Sequence, residues 1–512
     1  MTDEKHKPCV YLVGSGPGDA ELLTVRGAQL LKTADCVIYD KLVNPELLKF
    51  ARPDAEIIYV PKRTGKGSFT QEQINELILA KASEYRIIVR LKGGDPCVFA
   101  RAAEEALLLA NAGIEFEIVP GITAAIAAAE YAGIMLTDRN YSSQLVFVTG
   151  QEADNKQISN IDWELLAKFR GTIVFYMGMG NLETIVRRLT EEGMREDTPA
   201  AIISNATFPN QRILKAPMNL INQMSIEQKF EAPAIVVLGA AAESDYRLNW
   251  FMKKPLFGKN IVVTRDEKGN ADFASRIVRH GGNPIKFDTI RLKALTNTTR
   301  FIEAVQKIST YDWIIFTSGN GVSILFEFLS GIGKDARIFG SAKIACIGKP
   351  TAERLAEFGI KADFVPTVFT SKQLARQLIA FTNLHNKKVL LLRSELGNEE
   401  LVSILANGNA KTDDVSLYTA VPAETEYQWL KEKISEGTVD WLTFASPFSV
   451  EVFFGKISAE LVNSTDVRIA SIGPITTERL KKLTVKITTE ASEHTIEGLV
   501  EAIEEYANDK YL

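Results

Sequence analysis

Short apolar runs alternate with amphipathic segments along this chain. The apolar runs are typical of buried strands, and they include Val10–Val13, Ile87–Leu91, Leu145–Thr149, Thr172–Tyr176 and Ala234–Leu238. Segments with apolar residues at helical spacing lie between them and include Thr24–Thr33, Gln71–Ser83 and Arg101–Ala112. This alternation predicts an α/β protein, in which helices and sheets form packed layers.

A change of pattern near the middle of the chain predicts a domain boundary. The segment Ser244–Lys259 carries charges, Pro255 and Gly258, which interrupt both the strand and the helix periodicity. A single hydrophobic core stops growing near about 250–300 residues. Because the chain has 512 residues, we expect at least two units, separated by this segment.

The second half of the chain contains an internal repeat. Three segments recur in the same order: residues 259–266 at 387–395, 311–318 at 439–446, and 344–355 at 469–480. The offsets are 128, 128 and 125 residues, and the last pair is identical at eight of twelve positions. Two similar α/β lobes are therefore predicted. The loops after Phe316 and Phe444 are expected to face a ligand cleft between the lobes.

Composition limits the classes of partner. The chain is 46% hydrophobic and 24% charged with a formal net charge of -5, which gives no electrostatic basis for binding nucleic acid. We see neither an apolar stretch of about 18 residues nor a basic and apolar N-terminal signal, so we expect a cytoplasmic protein without a membrane partner. The four cysteines and four histidines are dispersed, so we expect no disulfide framework and no metal site.

The first apolar run leads into a glycine-rich turn, VGSGPGD, at residues 13–19. Gly14, Gly16 and Gly18 are two residues apart, which does not fit the G-x-G-x-x-G spacing of dinucleotide-binding proteins, and Pro17 removes a backbone donor. A nicotinamide site is therefore disfavoured. The alternative that this turn has only a structural role stays open.

Two further strand ends carry glycine turns, RLKGGDPCVFARAAEEA at 90–106 and VPGITAAIAAAEYAGI at 119–134. Gly93 and Gly94 allow the backbone to approach a ligand closely. Asp95 stands before Pro96, which suits helix capping as well as ligand binding. Three strand–turn–helix ends in one unit indicate one shared ligand pocket.

Residues 8–243 resemble the uroporphyrinogen-III C-methyltransferases of the tetrapyrrole methylase family. The matching stretches follow the family's order and include residues 10–43, 90–105, 119–139, 174–182 and 199–211. The resemblance implies a tetrapyrrole methylase fold of two α/β subdomains, with a domain at 1–245 and subdomains at about 1–121 and 122–245. At Asp138, where the family commonly has histidine, the resemblance gives no role.

The same resemblance implies that S-adenosylmethionine is the methyl donor and S-adenosylhomocysteine the by-product. The residues that it assigns to the donor are Pro17, Gly93, Gly94, Asp95, Val98, Thr123, Ala124, Met177 and Ala206. In-line positioning is the main requirement for transfer from a sulfonium, because the leaving thioether needs little acid–base help.

Ring methylation also requires proton shifts, for which a carboxylate and an ammonium are suited. The resemblance points to Asp40 as the general base and to Lys62 as the general acid. From the residues alone, Asp40 can equally be a cap, and Lys62 can belong to a solvated basic loop. Arg101 and Glu104 are expected to bind or deprotonate the substrate, although a surface ion pair one helical turn apart explains them equally well.

Residues 256–505 resemble uroporphyrinogen-III synthase, a two-lobed α/β fold that needs no cofactor. The resemblance implies a linker at 246–257 and a synthase domain at 258–512. It also implies lobes that exchange strands, one at about 258–290 plus 423–512 and the other at about 291–422, whereas the repeat alone suggests a head-to-tail pair.

Few ionisable catalysts are expected in this half. The resemblance assigns Tyr418 to assist loss of the substrate hydroxyl, although a core or surface aromatic residue is the alternative. Ser318, Ser446 and Thr476 are expected on cleft turns, where they can bind substrate carboxylates. Helix capping explains Thr476 equally well.

Together the resemblances imply a bifunctional enzyme of tetrapyrrole biosynthesis. It would cyclise hydroxymethylbilane to uroporphyrinogen III and methylate the product at C2 and C7 to precorrin-2, toward sirohaem and cobalamin. We expect a homodimer formed through the methyltransferase half, as is usual in that family. The alternative is a cobalamin-pathway precorrin methyltransferase fused to a two-lobed ligand-binding sensor.

Overall fold

The computed structural model describes residues 7–61, 69–152, 160–397 and 399–508. The chain forms two compact units. The first consists of Met1–Asn260, Arg276–Pro284 and Glu504–Leu512, and the second consists of Ile261–Ser275 and Ile285–Ile503. In the described ranges, no helix combines the length and the apolar character needed to cross a membrane. The predicted domain limits at 245 and 258 stay a proposal.

The first unit begins with a parallel sheet. Its strands are β1 (Cys9–Gly14), β2 (Cys36–Tyr39), β3 (Glu56–Tyr59), β4 (Ile87–Lys92) and β5 (Glu115–Val119). The accompanying helices are α1 (Val25–Thr33), α2 (Gln71–Glu84), α3 (Ala102–Asn111) and α4 (Ala124–Tyr131). The strand order is β3-β2-β4-β1-β5, so β4 is the central strand.

Both faces of this sheet are covered, because successive strand residues point to opposite sides. Val10 and Leu12 pack in one cluster with α2 and α3, whereas Val13 packs in another cluster with α1. The apolar runs of the sequence are therefore buried on both faces, as expected for parallel strands.

A mixed sheet follows in the first unit. Its strands are β6 (Leu145–Thr149), β7 (Thr172–Tyr176), β8 (Pro199–Ser204), β9 (Arg212–Pro217) and β10 (Ala234–Leu238). The helices are α5 (Trp163–Ala167), α6 (Leu182–Glu191) and α7 (Met218–Glu227). The order is β6-β7-β10-β8-β9, and β10 is antiparallel to both of its neighbours.

The five strands and three helices predicted from periodicity all occur, with ends that shift by at most one residue. The predicted α/β class is confirmed. The α1 helix begins at Val25 because Thr24 caps it, its side chain accepting a hydrogen bond from the Gly27 amide.

The second half of the chain forms two further five-stranded sheets. Their strands are β11 (Asn260–Thr264), β12 (Asn283–Lys286), β13 (Ile290–Ala294), β14 (Trp313–Phe316), β15 (Lys343–Cys346), β16 (Lys388–Ser394), β17 (Lys411–Pro422), β18 (Trp441–Phe444), β19 (Arg468–Ser471) and β20 (Thr489–Glu490). The helices are α8 (Glu267–Arg279), α9 (Thr299–Gln306), α10 (Gly319–Gly331), α11 (Lys349–Ala356), α12 (Ser371–Phe381), α13 (Glu400–Asn407), α14 (Gln428–Ser435), α15 (Pro447–Phe454), α16 (Ala459–Asn463), α17 (Pro474–Lys482) and α18 (Ile496–Asn508).

The two sheets exchange strands between the copies of the repeat. One sheet has the order β12-β11-β18-β19-β20, and the other has the order β13-β17-β16-β14-β15. The first segment of the early copy, β11, thus pairs with β18 of the late copy, whereas β16 of the late copy pairs with β14 of the early copy. This pairing excludes a head-to-tail arrangement of the two copies.

The repeat is also visible in the backbone at the strand ends. Ser318 precedes α10 with φ -163° and ψ 152°, and Ser446 precedes α15 with φ -162° and ψ 154°. Each serine side chain accepts a hydrogen bond from the amide three residues later, and thereby caps its helix. The two turns that the repeat predicted are therefore built in the same way.

Candidate functional site

The residues predicted to hold the methyl donor all follow strand ends of the first unit. Pro17 follows β1, Gly93 to Val98 follow β4, Thr123 and Ala124 follow β5, Met177 follows β7, and Ala206 follows β8. None of these residues is fully buried. Loops at five strand ends from two sheets therefore offer accessible surface to a ligand, as is usual in α/β folds.

The β1 and β4 loops are joined through their backbones. The Gly16 amide donates to the Gly94 carbonyl at 3.2 Å, and the Gly94 amide donates to the Gly16 carbonyl at 2.7 Å. Gly121 from the β5 loop packs against this pair, and a Cβ on it would lie only 2.3 Å from the Gly94 oxygen. Glycine is required there because three backbones meet.

Asp95 joins the β4 and β5 loops. One carboxylate oxygen accepts a hydrogen bond from the Cys97 amide at 2.8 Å, and the other accepts one from the Gly121 amide at 2.9 Å. The expectation that Asp95 caps a helix is wrong, because α3 begins only at Ala102. Phe99 and Arg101 have φ of 54° and 57°, which keeps the intervening chain out of a helix.

Tyr176, the last residue of β7, joins the two sheets. Its hydroxyl lies 2.6 Å from Oγ1 of Thr123 and accepts a hydrogen bond from the Ala125 amide at 3.0 Å. Burial raises the pKa of Tyr176, while the hydrogen bonds from Thr123 and Ala125 oppose that rise. This tyrosine was not predicted as a site residue.

Thr207 joins the end of β8 to these hydrogen-bonded loops. Its Oγ1, which follows β8, accepts a hydrogen bond from the Asp19 amide in the β1 loop at 2.9 Å. The Asp19 carboxylate in turn accepts a hydrogen bond from the Tyr131 hydroxyl at 2.9 Å. Hydrogen bonds thus link the ends of β1, β4, β5, β7 and β8 into one structure, which we call the loop ring.

The loop ring has apolar and conformationally strained parts. Val98, Ala124 and Ala206 pack against one hydrophobic cluster that includes Tyr176. Met177 is 48% exposed and has a φ of 55°, and Thr207 has a φ of 69°. Non-glycine residues rarely adopt such angles, and strain of this kind concentrates at ligand sites.

The composition of the loop ring fits S-adenosylmethionine. Apolar surface at Val98, Ala124 and Ala206 suits an adenine ring, and the Asp95 carboxylate suits hydroxyl or ammonium groups. Gly94 has no side chain that would stand between the backbone and a ligand.

Asp40 follows β2 at the same edge of the first sheet, and its side chain is 16% exposed. Its carboxylate accepts a hydrogen bond from the Leu42 amide at 3.2 Å and forms an ion pair with Arg90 at 3.4 Å. Lys62, the predicted general acid, lies outside the described residues.

Arg101 and Glu104 form a two-bond ion pair of 2.7 and 2.6 Å at the start of α3. Both side chains are about half exposed, at 53% and 48%. The surface-pair interpretation therefore describes this structure, and the exposed position also leaves the pair accessible to a substrate. Its substrate role stays a prediction.

A buried charged cluster adjoins Asp40 and was missed at the level of sequence. It consists of Arg90, Lys92 and Glu105, none of which is more than 1% exposed. Arg90 and Lys92 are two residues apart in the apolar strand IIVRLK, so both lie on one face of β4. This spacing is the sequence signal from which the two buried cations could have been predicted.

In the second unit, Tyr418 and Ser318 come together. Their hydroxyls are hydrogen-bonded at 2.9 Å, and Tyr418 is 7% exposed. Burial raises the pKa of Tyr418; the hydrogen bonds of Ser318 and Asn320 oppose that effect, and the charge of Asp266 adds to it. Asn320 and Asp266 were not predicted from the sequence.

Ser446 and Thr476 belong to the other sheet of the second unit, at the ends of β18 and β19. Ser446 is partly exposed, whereas Thr476 is 3% exposed. The capping interpretation of Thr476 is wrong, because α17 is preceded by Gly473 and Thr476 is its third residue. Carboxylate binding by these two residues stays a prediction.

Comparison with known proteins identifies the family. The profile of Tetrapyrrole (Corrin/Porphyrin) Methylases matches residues 9–221, and that of Uroporphyrinogen-III synthase HemD matches residues 271–501. "Porphyrin biosynthesis protein HemD" from Ruminiclostridium josui is 37% identical over 494 residues, which are 96% of this chain and 97% of that protein. The chain belongs to the family of this porphyrin biosynthesis protein HemD, which it matches over nearly its whole length.

Other relatives of this HemD-family chain match mainly its first half. "Uroporphyrinogen-III C-methyltransferase" from Bacillus subtilis is 37% identical over 350 residues, 68% of this chain and 71% of that protein. A Thermus thermophilus uroporphyrin-III C-methyltransferase solved with S-adenyl homocysteine is 34% identical and covers 46% of this chain and 93% of its own, with a TM-score of 0.40.

Family membership confirms the predicted fusion of a tetrapyrrole methylase with a uroporphyrinogen-III synthase, and with it a bifunctional enzyme of tetrapyrrole biosynthesis. The predicted donor, S-adenosylmethionine, agrees with the methylase match and with the name of a Methanosarcina barkeri relative, "S-adenosyl-L-methionine-dependent uroporphyrinogen III methyltransferase", which is 46% identical over 230 residues. These matches do not test the roles of individual residues, which stay proposals.

Proposed function

We propose that this chain converts hydroxymethylbilane to uroporphyrinogen III in its second half and methylates uroporphyrinogen III at C2 and C7 in its first half, giving precorrin-2. The observation that carries the proposal is the loop ring, in which strand ends of two sheets are hydrogen-bonded around residues suited to S-adenosylmethionine. The strand-exchanged repeat supports the cyclisation activity.

The residues that would hold the donor are those of the loop ring, from Pro17 through Ala206. When bound, S-adenosylmethionine supplies an electrophilic methyl group on a sulfonium. The chain's own contribution is orientation: Asp95 and Tyr176 fix the β5 loop from two sides, so the donor surface is formed before the ligand arrives.

Asp40 acts as the general base in this proposal. Methylation of a ring carbon leaves the macrocycle cationic until a C–H proton is lost. A carboxylate oxygen of Asp40 accepts that proton while the electron pair of the C–H bond stays in the ring. Lys62 would supply a proton or bind a substrate carboxylate, and Arg101 with Glu104 would contact the acidic substrate.

Tyr418 acts in the cyclisation. Its hydroxyl donates to the departing hydroxyl of hydroxymethylbilane, so water leaves with the C–O electron pair and a cationic azafulvene remains. A tyrosine is protonated at neutral pH even without a shift, and burial raises the pKa of Tyr418 further, so its hydroxyl is available as a donor. Ser318 orients it, and Ser446 and Thr476 would bind substrate carboxylates.

The activities can be tested separately with the full chain. Uroporphyrinogen III with S-adenosylmethionine should give dimethylated product, and hydroxymethylbilane alone should give uroporphyrinogen III. Methylation confined to later precorrins would favour the cobalamin-pathway alternative, and binding of hydroxymethylbilane without closure would favour the sensor alternative.

Asp40→Asn should lower methylation by about 10²–10⁴-fold, as expected for loss of a general base. The same variant should keep the cyclisation rate.

We also propose a cytoplasmic location and a homodimer formed through the methyltransferase half. Size-exclusion chromatography with light scattering tests the dimer. The expected mass is twice that of the 56.6 kDa chain, and a monomer at micromolar concentration would contradict it.

A further inference from the structure

The central strand of the first sheet carries two cations into the core. Lys92 donates to one Glu105 oxygen at 2.8 Å, and Arg90 lies 3.4 Å from the other. Gln71 also donates to Glu105 at 3.2 Å. Burial alone would raise the pKa of Glu105, but the charges of Arg90 and Lys92 outweigh burial and lower it, so the Glu105 carboxylate is ionised at neutral pH.

Arg90 connects this cluster to Asp40. Its Nε faces Glu105, its Nη1 donates to the carbonyls of Ile38 and Leu91 at 3.4 and 3.1 Å, and its Nη2 faces the Asp40 carboxylate at 3.4 Å. The planar guanidinium is thus fixed on three sides before it reaches Asp40. Asp40 receives its second contact from the Leu42 amide.

Stability alone does not explain a buried cluster of this kind. Taking such charges out of water is costly, and replacing buried ion pairs with packed apolar residues is often neutral or stabilising. Arg90 is also 0% exposed, so it cannot touch a substrate. Its only partly exposed ionic partner among the described residues is Asp40, the proposed general base.

We infer that Arg90, held by Glu105, is a positioning residue that fixes the Asp40 carboxylate for proton removal from the tetrapyrrole. This inference rests on the proposed methyltransferase function. Counted together with Asp40, the two buried cations face two carboxylates: Lys92 offsets the charge of Glu105, and Arg90 offsets that of Asp40. Arg90 therefore acts on the rate of the chemical step and not on binding of the donor.

The test compares Arg90→Lys, Arg90→Met and Lys92→Met in the full chain. Steady-state methylation of uroporphyrinogen III gives kcat and KM, and calorimetry gives the affinity for S-adenosylhomocysteine. Arg90→Met should lower kcat by about 10²-fold, the cost of a small misplacement of a catalytic group. KM and S-adenosylhomocysteine affinity should stay within about twofold. Arg90→Lys keeps the charge balance but not the planar bridge, so its kcat should fall by about tenfold.

A double variant isolates the contact. In an Asp40→Asn background, Arg90→Met should lower single-turnover methylation no further, because both substitutions remove the same function. Lys92→Met is the matched control: it removes an equally buried cation from the same strand and the same Glu105, and its effect should multiply with that of Asp40→Asn.

Three outcomes overturn the inference: wild-type kcat in Arg90→Lys, an Arg90→Met effect that persists in the Asp40→Asn background, or a loss of donor affinity equal to the loss of kcat. Arg90→Lys and its kcat remain decisive if Arg90→Met does not fold. A wild-type chain that does not methylate uroporphyrinogen III overturns the proposed function, and the inference falls with it. If the wild-type chain methylates uroporphyrinogen III but the effects of Arg90→Met and Asp40→Asn multiply in the double variant, the inference is wrong and the proposed function stands.

Discussion

The Tyr176 hydroxyl lies 2.6 Å from Oγ1 of Thr123 and so joins the end of β7 to the loop after β5. The two residues belong to different sheets of the first unit. The same hydroxyl accepts a hydrogen bond from the buried Ala125 amide, so it fixes the start of α4 from the side of the second sheet. The donor surface therefore depends on contacts between the sheets as well as on the glycine turns.

Tyr176→Phe should weaken S-adenosylhomocysteine binding by about tenfold, because it removes a hydrogen bond worth about 1 kcal/mol and leaves a buried amide without its acceptor. Titration calorimetry measures the change. Tyr311→Phe is the control, since it removes a similarly buried hydroxyl, bonded to Asp413, from the second half. Unchanged affinity in Tyr176→Phe would show that the link does not shape the donor surface.

Gly121→Ala should separate the β4 and β5 loops. The added Cβ would lie 2.3 Å from the Gly94 oxygen and 2.8 Å from the Gly14 Cα, both backbone atoms. Overpacking of this kind costs about 1–3 kcal/mol, so donor binding and melting temperature should both fall. Gly331→Ala, where nothing lies within 4 Å, should change neither. Normal donor binding by Gly121→Ala would argue against the close approach.

Tyr418→Phe should reduce the rate of uroporphyrinogen III formation by about 10²-fold, comparable to loss of one preorganised donor. Ser318→Ala should have a smaller effect, because Tyr418 keeps its hydroxyl. Methylation of supplied uroporphyrinogen III should be unchanged in both. Tyr427→Phe, at an exposed tyrosine of the same half, is the control. A Tyr418→Phe chain that cyclises at the normal rate would remove its proposed role.

The thiols should differ sharply in reactivity. Burial raises the pKa of Cys36 and of Cys346 to about 12, whereas Cys97 is exposed in the β4 loop. Alkylation requires the thiolate, so at pH 8 peptide mass spectrometry should find Cys97 labelled and the two buried thiols unlabelled. Labelling of Cys36 and Cys346 should rise as the pH approaches 12. S-adenosylhomocysteine should slow labelling of Cys97, and no protection would contradict the placement of the donor.

Local sequence features were enough to predict the strands, the glycine turns and the repeat. Period-two and period-3.6 patterns determine which residues are buried, so β6 and β7 have the predicted ends. The predicted helix cap at Asp95 is wrong because the chain after Pro96 turns through left-handed residues, and the Asp95 carboxylate accepts a hydrogen bond from Gly121 in the β5 loop, which is distant in sequence.

The remaining parts of the site depend on tertiary structure. In the sequence, Tyr176 is only the last residue of an apolar strand. The hydrogen bond of its hydroxyl to Thr123 becomes visible only when β7 lies against the β5 loop. Arg90 and Lys92 alternate visibly along one strand, but their partner Glu105 becomes evident only once α3 packs on β4. Strand exchange in the second half likewise could not follow from the repeat alone.

The decisive experiment on the bifunctional reaction is conversion of hydroxymethylbilane by the intact chain in the presence of S-adenosylmethionine, with every product resolved by mass and by isomer. We expect a type III macrocycle carrying two new methyl groups, with two molecules of S-adenosylhomocysteine formed for each. Release of unmethylated macrocycle, or formation of only the isomer in which the last pyrrole is not inverted, would contradict the proposed function.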